Sequence, residues 1–421
     1  MDFHHTIRPV LFVVQLFGQF PLQGILKSDP LRWHFRWCSV QTVLFVLLEH
    51  VGLFLCYIEY DRLMVIGVNA DNLIGPLFYL DVMIIMGLLL KVAYQWPSMA
   101  SKFQQVEALE TMQYDAQRHG RQGARKIRTV ALLLTFAGFA EHMLSIGKTM
   151  YAKVDEARVC NWNYSNFPEY YALRTYESFF IRVPYNFPTL IVLEYANTAL
   201  TMAWTVQDVL IIIISDAIVG YFERINERIQ LYCSVQVVAK EKFWCDIRSH
   251  YVTVRELLEQ VMAIVSPLLV VSCGTNLYLI CYQLFHIVEE QKYIVHTIFA
   301  YFSLLCVITR AFLTMNYCSA VHEVARKPVG MCRRIPSQSW CSELQRFHDH
   351  IRKNYIVISA MGLFNITRRT MLTMLGAVIT YELVMLHFAK TTENQGVVKE
   401  CSKTQFSYEP KMESTLAAQS L

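Results

Sequence analysis

Seven long apolar windows recur along the chain and constrain its fold more than any other feature. A helix that crosses a bilayer needs roughly 20 consecutive, mostly apolar residues. The windows lie near residues 40–60, 73–94, 129–150, 189–219, 261–284, 293–316 and 370–388. The composition agrees, because 54% of the residues are hydrophobic and only 17% are charged. The sequence therefore predicts an all-α membrane protein with seven transmembrane helices.

An eighth apolar run, from Val10 to Phe20, is shorter than the others and ends at Pro21. Its length favours a short interfacial or re-entrant helix over a membrane span. A signal peptide is the competing interpretation, but no small-residue cleavage pattern follows the run.

The distribution of Lys and Arg predicts how the helices are oriented. The loops after the second, fourth and sixth windows carry six, six and nine of these residues, whereas those after the first, third and fifth carry one, four and one. Cationic loops stay on the cytoplasmic side, so we expect the amino terminus inside and the carboxyl terminus outside. A glycosylation acceptor at Asn163, in a predicted outer loop, agrees with this orientation.

Apolar stripes at helical spacing precede two of the windows. Their members are Ile247, Tyr251, Val254, Leu258 and Val261 before the fifth window, and Leu344, Phe347, Ile351, Tyr355 and Ile358 before the seventh. Because such stripes must be buried outside the bilayer, we expect the fourth, fifth and sixth helices to continue into the cytosol as a helical base. Periodicity alone leaves open whether this base closes on itself or contacts another subunit.

Motifs of soluble enzymes are absent from the sequence. There is no Walker loop, GxSxG, HExxH or CxxC pair, so we expect no enzyme activity, no catalytic residue, no metal site and no cofactor. The net charge of +4 comes from the cytoplasmic loops and indicates topology rather than nucleic-acid binding. The twelve cysteines imply no disulfide framework, because few of them lie in outer segments.

Polar residues at membrane depth are the candidates for ligand binding. Buried charge is costly in hydrocarbon, so these groups should face the bundle interior or water. Acidic and amide groups can bind the hydroxyls of a sugar, and aromatic rings can stack on it. The candidates are Asp81, Glu141, His142, Glu194, Asn197, Asn276, Tyr278, Gln283 and Tyr301.

The alternative is that these groups satisfy one another in hydrogen bonds between helices. Arg310 lies deeper than the candidates, and we expect it to pair structurally with Asp208 or Asp216.

The seventh window carries a narrow strip of small and polar residues along one helix face. At 100° per residue, the strip comprises Thr373, Gly376, Thr380, Val384 and His387. Such a strip either permits close helix packing or lines an aqueous path between symmetric copies of the helix. The pattern alone does not choose between them.

The segment TYELVMLHF, which starts at Thr380, resembles the signature that ends insect gustatory receptors. That signature has Thr-Tyr, then variable positions, then Gln-Phe, so Thr380, Tyr381 and Phe388 match it and His387 replaces the usual glutamine. Segments that look like the sugar-receptor subgroup lie upstream: GLFNITRR, GAVI, IRPVLFVVQLFGQFPLQGI, DPLRWHFRW and WTVQDVLIIIISDAIVGYFERINERI. The resemblance covers nearly the whole chain.

The resemblance implies a tetrameric channel for cations, opened by a sugar that binds in an outer pocket of each subunit. It implies a homotetramer or a heteromer with related subunits, surrounded by lipid in the plasma membrane of taste sensory neurons. Four segments follow: a cytoplasmic segment over 1–39, a six-helix ligand-binding bundle over 40–369, a pore-lining seventh helix over 370–388 and an extracellular, disordered tail over 389–421.

Three other functions stay open at this point. An odorant or other chemoreceptor channel would share the architecture but bind a non-sugar ligand. A G-protein-coupled receptor should have an external amino terminus and an NPxxY motif, which the last window lacks. A sugar transporter should show internal repeats or broken helices.

Overall fold

A computed structural model of the chain describes residues 3–27, 29, 32–68, 70–113, 120–159, 166–234, 241–288 and 294–392. The helices are α1 (Phe3–Leu16), α2 (Val40–Ile66), α3 (Ala70–Glu107), α4 (Glu110–Gln113), α5 (Gly120–Val159), α6 (Phe167–Thr175), α7 (Glu177–Phe180), α8 (Phe187–Ser234), α9 (Glu241–Val288), α10 (Ile294–Cys332), α11 (Ser342–Lys353) and α12 (Arg368–Thr392). Two short antiparallel strands, β1 (Ser359–Ala360) and β2 (Phe364–Asn365), form a hairpin before α12.

Within the described residues, six helices are long and apolar enough to cross a membrane. They are α2, α3, α5, α8, α9 and α10, and they coincide with the first six apolar windows. The seventh window lies inside α12, whose 25 residues exceed the roughly 20 that a span requires. The predicted all-α membrane fold is confirmed.

The helix α8 forms the centre of the bundle. It packs against α10, α5, α9 and α3, and 83% of its apolar window is buried. The continuous run from Val209 to Ile214 is buried on every face of the helix, because neighbouring helices surround it.

The predicted helical base exists. At 1.5 Å per residue, the 48 residues of α8 and of α9 each extend about 72 Å, far beyond the roughly 30 Å of a hydrocarbon core. All members of the α9 stripe are buried, and α11 packs on α9 and α10 through Leu344, Phe347 and Ile351. The prediction for Tyr355 was wrong: its side chain is 58% exposed, because α11 ends at Lys353 and the helical spacing stops there.

The connection into α12 is a tight turn with a capped helix start. Met361 and Gly362 adopt positive φ angles of 52° and 77° in the hairpin turn. The side-chain oxygen Oγ1 of Thr367 accepts a hydrogen bond from the backbone N–H of Thr370, 3.3 Å away, which satisfies one of the free donors at the helix start. Arg368 pairs with Glu323 of α10. These contacts fix the direction in which α12 leaves the base.

The amino-terminal helix differs from its apolar run. It begins at Phe3 and ends at Leu16, whereas the run extends from Val10 to Phe20. The ring of Phe3 stacks on Phe103 with centroids 3.9 Å apart, so residues before the run are also anchored. Positive φ angles at Gly18 and Phe20 turn the chain after the helix. An interfacial or re-entrant position of α1 stays a prediction.

Several predictions fall on residues outside the described part. Asn163 and residues 393–421 of the predicted tail are among them. The orientation of the termini stays a prediction. The described cysteines are free thiols.

Candidate ligand site and pore helix

A buried network of charged and polar groups joins α8, α9 and α10. The Nε atom of Arg310 lies 2.8 Å from Oδ2 of Asp208, and both side chains are buried. Asn276 bridges the pair: its Nδ2 donates to Asp208 Oδ2 at 3.0 Å, and its Oδ1 accepts from Arg310 Nη2 at 3.2 Å. Ser272 also donates to Asp208. The predicted pairing of Arg310 is therefore confirmed with Asp208.

A cavity of about 170 Å³ lies beside this network, between α5, α8 and α10. Its polar lining consists of Glu141, Thr205, Thr309 and Arg310, with apolar side chains around them. Arg310 Nη1 donates to Thr205 Oγ1 at 3.3 Å, so one guanidinium both lines the cavity and belongs to the buried network.

Glu141 is linked to Gln283 through Ser303. The Ser303 hydroxyl donates to Glu141 Oε1 and accepts from Gln283 Nε2 at 2.8 Å. Among the described residues, the Oε1 atom of Gln283 is buried and has no hydrogen-bond partner. Two of the predicted binding residues thus meet, and one acceptor remains for a further donor.

Asp81 and His142 engage neighbouring helices instead. The indole Nε1 of Trp204 donates to Asp81 Oδ2 at 2.7 Å, and Thr275 Oγ1 lies 2.9 Å from both carboxylate oxygens. His142 Nε2 lies 3.1 Å from Thr198 Oγ1. These contacts are of the interhelical kind that the sequence left as an alternative.

The loop between the third and fourth spans covers another pair of candidates. The hydroxyl of Tyr171 in α6 donates to Glu194 Oε1 at 3.0 Å, and Asn197 Nδ2 donates to the Tyr176 oxygen at 3.4 Å. Burial, together with the nearby Glu194 carboxylate, raises the pKa of both tyrosines above the ordinary value. Both hydroxyls therefore stay protonated and can donate.

The two candidate tyrosines lie elsewhere. Tyr278 is 42% exposed and Tyr301 is 60% exposed on the outside of the single chain, so their expected position among the interior polar groups was wrong. Geometry gives the reason: each stands two residues, about 200° around the helix, from a buried polar residue, Asn276 and Ser303 respectively. Gln283, seven residues from Asn276, shares its face. A ligand role for the tyrosines stays a prediction.

Sequence reasoning missed the partners that organise this site: Trp204, Thr275, Ser303, Tyr171 and Tyr176. Most carry a single uncharged donor and occur throughout apolar helices, so no sequence signal separates them from ordinary span residues.

The strip of α12 faces away from the bundle. Thr373, Gly376, Thr380 and Val384 are exposed in the single chain. The hydroxyl of Thr373 donates to Arg369 O at 3.1 Å and that of Thr380 to Gly376 O at 2.9 Å, so each is satisfied within its own helix. The side chains of His387 and Phe388 lie outside the described part, as does that of Glu382.

Comparison with known proteins connects this geometry to a family. The family model described as the trehalose receptor matches residues 1–401, nearly the whole chain. The chain belongs to the trehalose receptor family. This confirms the resemblance to the sugar-receptor subgroup of insect gustatory receptors, and with it a multi-pass membrane protein that is not an enzyme.

Relatives of this trehalose receptor family member span most of its length. The gustatory receptor for sugar taste 64a of Drosophila melanogaster is 28% identical over 406 residues, which are 95% of this chain and 87% of the relative. The gustatory receptor 5a for trehalose, from the same organism, is 27% identical over 400 residues, or 92% of this chain and 85% of the relative.

The fold is also that of a solved structure. The insect olfactory receptor OR5 from Machilis hrabei in complex with eugenol superposes with a TM-score of 0.69 at 14% identity, covering 92% of this chain and 100% of that receptor. A second structure of the same receptor gives a TM-score of 0.61 at 13% identity, with 92% and 99% covered. The insect chemoreceptor fold is thereby confirmed for this family member.

Proposed function

We propose that the chain is a taste receptor for sugars in which ligand binding opens a cation channel formed by several copies of the chain. The observation that carries the proposal is the match to the trehalose receptor family over residues 1–401. The relatives named for sugar taste and for trehalose support the ligand class. The insect olfactory receptor fold supports the arrangement of helices.

The proposed sugar pocket is the outer part of the bundle around the 170 Å³ cavity. Glu141 and Gln283, joined by Ser303, offer acceptors for sugar hydroxyls. Glu194 and Asn197 lie beneath α6 and provide a second polar group. Asp81, His142 and Asn276 already form hydrogen bonds to neighbouring helices. They therefore stabilise the helices around the pocket rather than contact the sugar. Hydroxyl recognition by such acceptors favours sugars over ligands that lack hydroxyls.

Coupling to the pore follows from Arg310. Its guanidinium lines the cavity and is tied to Asp208 and Asn276, so a ligand that displaces it also shifts α8, α9 and α10 relative to one another. Both α9 and α10 contact α12. Opening then requires only that the sugar bind the open arrangement more tightly than the closed one.

The proposed pore lies along the strip Thr373, Gly376, Thr380 and Val384, extended by His387. Four copies of α12 around an axis, from a homotetramer or from a heteromer with related subunits, would bring these exposed small residues together. Histidine in place of the usual glutamine predicts a pH-sensitive conductance near an ordinary histidine pKa of about 6.5.

Whole-cell recording tests this proposal. The chain is expressed alone, and with a related subunit, in cells without endogenous receptors, and current is measured against a panel of sugars. We expect current within milliseconds that is independent of G proteins. Current lost in Glu141→Gln but kept in Glu169→Gln, at equal surface expression, would support the pocket. The proposal is contradicted if protein at the cell surface gives no current with any sugar, whether it is expressed alone or with a related subunit. Current evoked only by a non-sugar such as eugenol would reassign the ligand class.

The histidine has its own test. In His387→Gln, we expect the pH dependence between about 5.5 and 7.5 to disappear. Unchanged permeation and pH response would make the substitution incidental to conduction.

A further inference from the structure

A second, larger cavity lies between α9, α10 and α12. Its volume is about 500 Å³, within the range of sites that hold small molecules. The α12 wall is formed by Met371, Leu375 and Val378 among others, and α10 contributes Ala311 and Phe312. The 170 Å³ cavity is lined by the opposite face of α10 and shares no lining residue with this one. The two spaces are therefore separate sites.

One hydroxyl stands out in the apolar wall. Thr314 lines the cavity, its side chain is 1% exposed, and its Oγ1 has no hydrogen-bond partner among the described residues. A buried hydroxyl without a hydrogen-bond partner is unfavourable, so an occupant that supplies one hydrogen bond to it binds more tightly.

The other polar residues of the lining are Ser272 and Asn276, together with the thiol of Cys273. Ser272 and Asn276 are already bound to Asp208, and Cys273 Sγ lies 3.7 Å from Met315 Sδ. Thr314 is thus the wall's one free hydroxyl among the described residues. A sugar would leave most of its hydroxyls unpaired here, which excludes it as the occupant.

We infer that this cavity binds an apolar molecule with a single hydroxyl group, a medium-chain or terpenoid alcohol that enters from the membrane. The alkyl body contacts Leu375, Phe312 and Val378, and the hydroxyl pairs with Thr314 Oγ1. Because the occupant fills the space between α12 and its two neighbours, it stabilises the position of α12 at which the cavity is open. Such a molecule is a modulator at a site distinct from the sugar pocket, and its binding does not depend on the sugar function.

Photolabelling of the purified full-length protein tests this inference. The probe is a ten-carbon alcohol with a diazirine on its chain, and labelled peptides are identified by mass spectrometry. We expect label within residues 308–315 or 371–379. 1-Decanol should compete with this labelling, and an alkane in which a methyl group replaces the hydroxyl should compete about threefold to tenfold more weakly. Label confined to other segments overturns the assignment.

Matched variants locate the hydroxyl contact. Thr314→Val keeps the side-chain shape and should weaken alcohol competition about threefold to tenfold. Thr309→Val removes a hydroxyl from the opposite face of α10, in the smaller cavity, and should leave competition unchanged. If the alcohol competes equally in the unsubstituted protein, in Thr314→Val and in Thr309→Val, the role of Thr314 is overturned.

A variant that fills the cavity, combined with cross-linking, distinguishes a small-molecule occupant from a second copy of the chain. Ala311→Phe should abolish labelling while the protein remains monodisperse on gel filtration. In Leu375→Cys, efficient cross-linking between copies of the chain, together with loss of labelling in the cross-linked protein, would have a different meaning. It would assign the cavity to α12 of a neighbouring copy and overturn the inference. Thr314→Val, which changes little volume, serves as the readout if Ala311→Phe does not fold.

Discussion

The helices α8 and α12 are both apolar, yet they occupy opposite environments in the chain. In α8, 83% of the apolar window is buried, with neighbours on every side. In α12, even large aliphatic side chains that line the cavity beside α9 and α10 are exposed in the single chain, and Leu372 is 70% exposed. The contacts of α12 are chiefly with α9 and α10.

The difference shows that apolarity places a helix in the membrane without placing it within the subunit. Lipid tails are as apolar as leucine, so no hydrophobic force draws one span to the centre and leaves another at the edge. Packing shape and polar contacts decide the position. The centre of α8 carries Asp208, which needs partners from α9 and α10, whereas the described part of α12 faces outward with small residues.

The largest expected effect on stability comes from removing the buried ion pair between Arg310 and Asp208. Arg310→Met leaves Asp208 as a buried carboxylate without its cation, and we expect a loss of about 3–5 kcal/mol in the free energy of unfolding. Arg369→Met, at the exposed start of α12, should change stability by less than about 0.5 kcal/mol. Unfolding in mixed SDS micelles measures both variants. The double variant Asp208→Leu with Arg310→Met should recover most of the loss, and failure to recover would assign the effect to packing rather than charge.

A leucine pair tests packing. Leu210→Ala in α8 should cost about 2 kcal/mol, because a cavity opens where no lipid can enter. Leu372→Ala in α12 should cost close to nothing in a single chain, since lipid or detergent fills the lost volume. The same unfolding assay compares them. A similar large cost for both variants would mean that α12 is packed against another subunit in the detergent-solubilised protein.

A glycine pair tests close approach. A Cβ atom at Gly138 of α5 would meet Thr205 Oγ1 of α8 at 2.4 Å, whereas one at Gly376 of α12 would meet nothing within 4 Å. Gly138→Ala should therefore destabilise by about 1–2 kcal/mol. Gly376→Ala should be neutral or stabilise by up to about 1 kcal/mol through helix propensity. Thermal unfolding measures stability, and an altered sugar current in a stable Gly376→Ala would indicate that the strip is crowded or conducting in the assembly.

The smallest effect concerns the base outside the bilayer, where a histidine reports on packing. Burial lowers the pKa of His350 in α11, and Arg255, whose Nη1 lies 3.4 Å from Nε2, lowers it further. The unfolded chain then binds a proton first as pH falls below about 6.5, so stability should decrease from pH 7.5 to 5.5. His350→Gln should flatten this part of the stability profile. Equal slopes in both proteins would show that other groups control it.

The fold was largely predictable because its signals are long and periodic. Windows of about 20 apolar residues and the stripe from Ile247 to Val261 identify helices without knowledge of their neighbours. The exact start of α1 and the short helices α6 and α7 were not predictable, since their anchors, such as Phe3 on Phe103, lie far apart in the chain.

The candidate site was predictable only in its charged members. A carboxylate at membrane depth is conspicuous in sequence, and charge and depth predicted that Arg310 pairs with Asp208 or Asp216. The sequence did not predict which polar side chains lie on the same face of a helix. Tyr301 and Ser303 stand two residues apart, and only the packing of α10 shows that the serine points inward.

The sequence by itself determined a helical membrane protein of the sugar-receptor type, because hydropathy and the terminal signature are local properties that need no partner. Tertiary structure decided which helix is central, which carboxylate receives Arg310 and that Thr314 is left facing an apolar cavity. The physical reason is that burial and hydrogen bonding are relations between residues far apart in the chain, fixed only when the helices pack against one another.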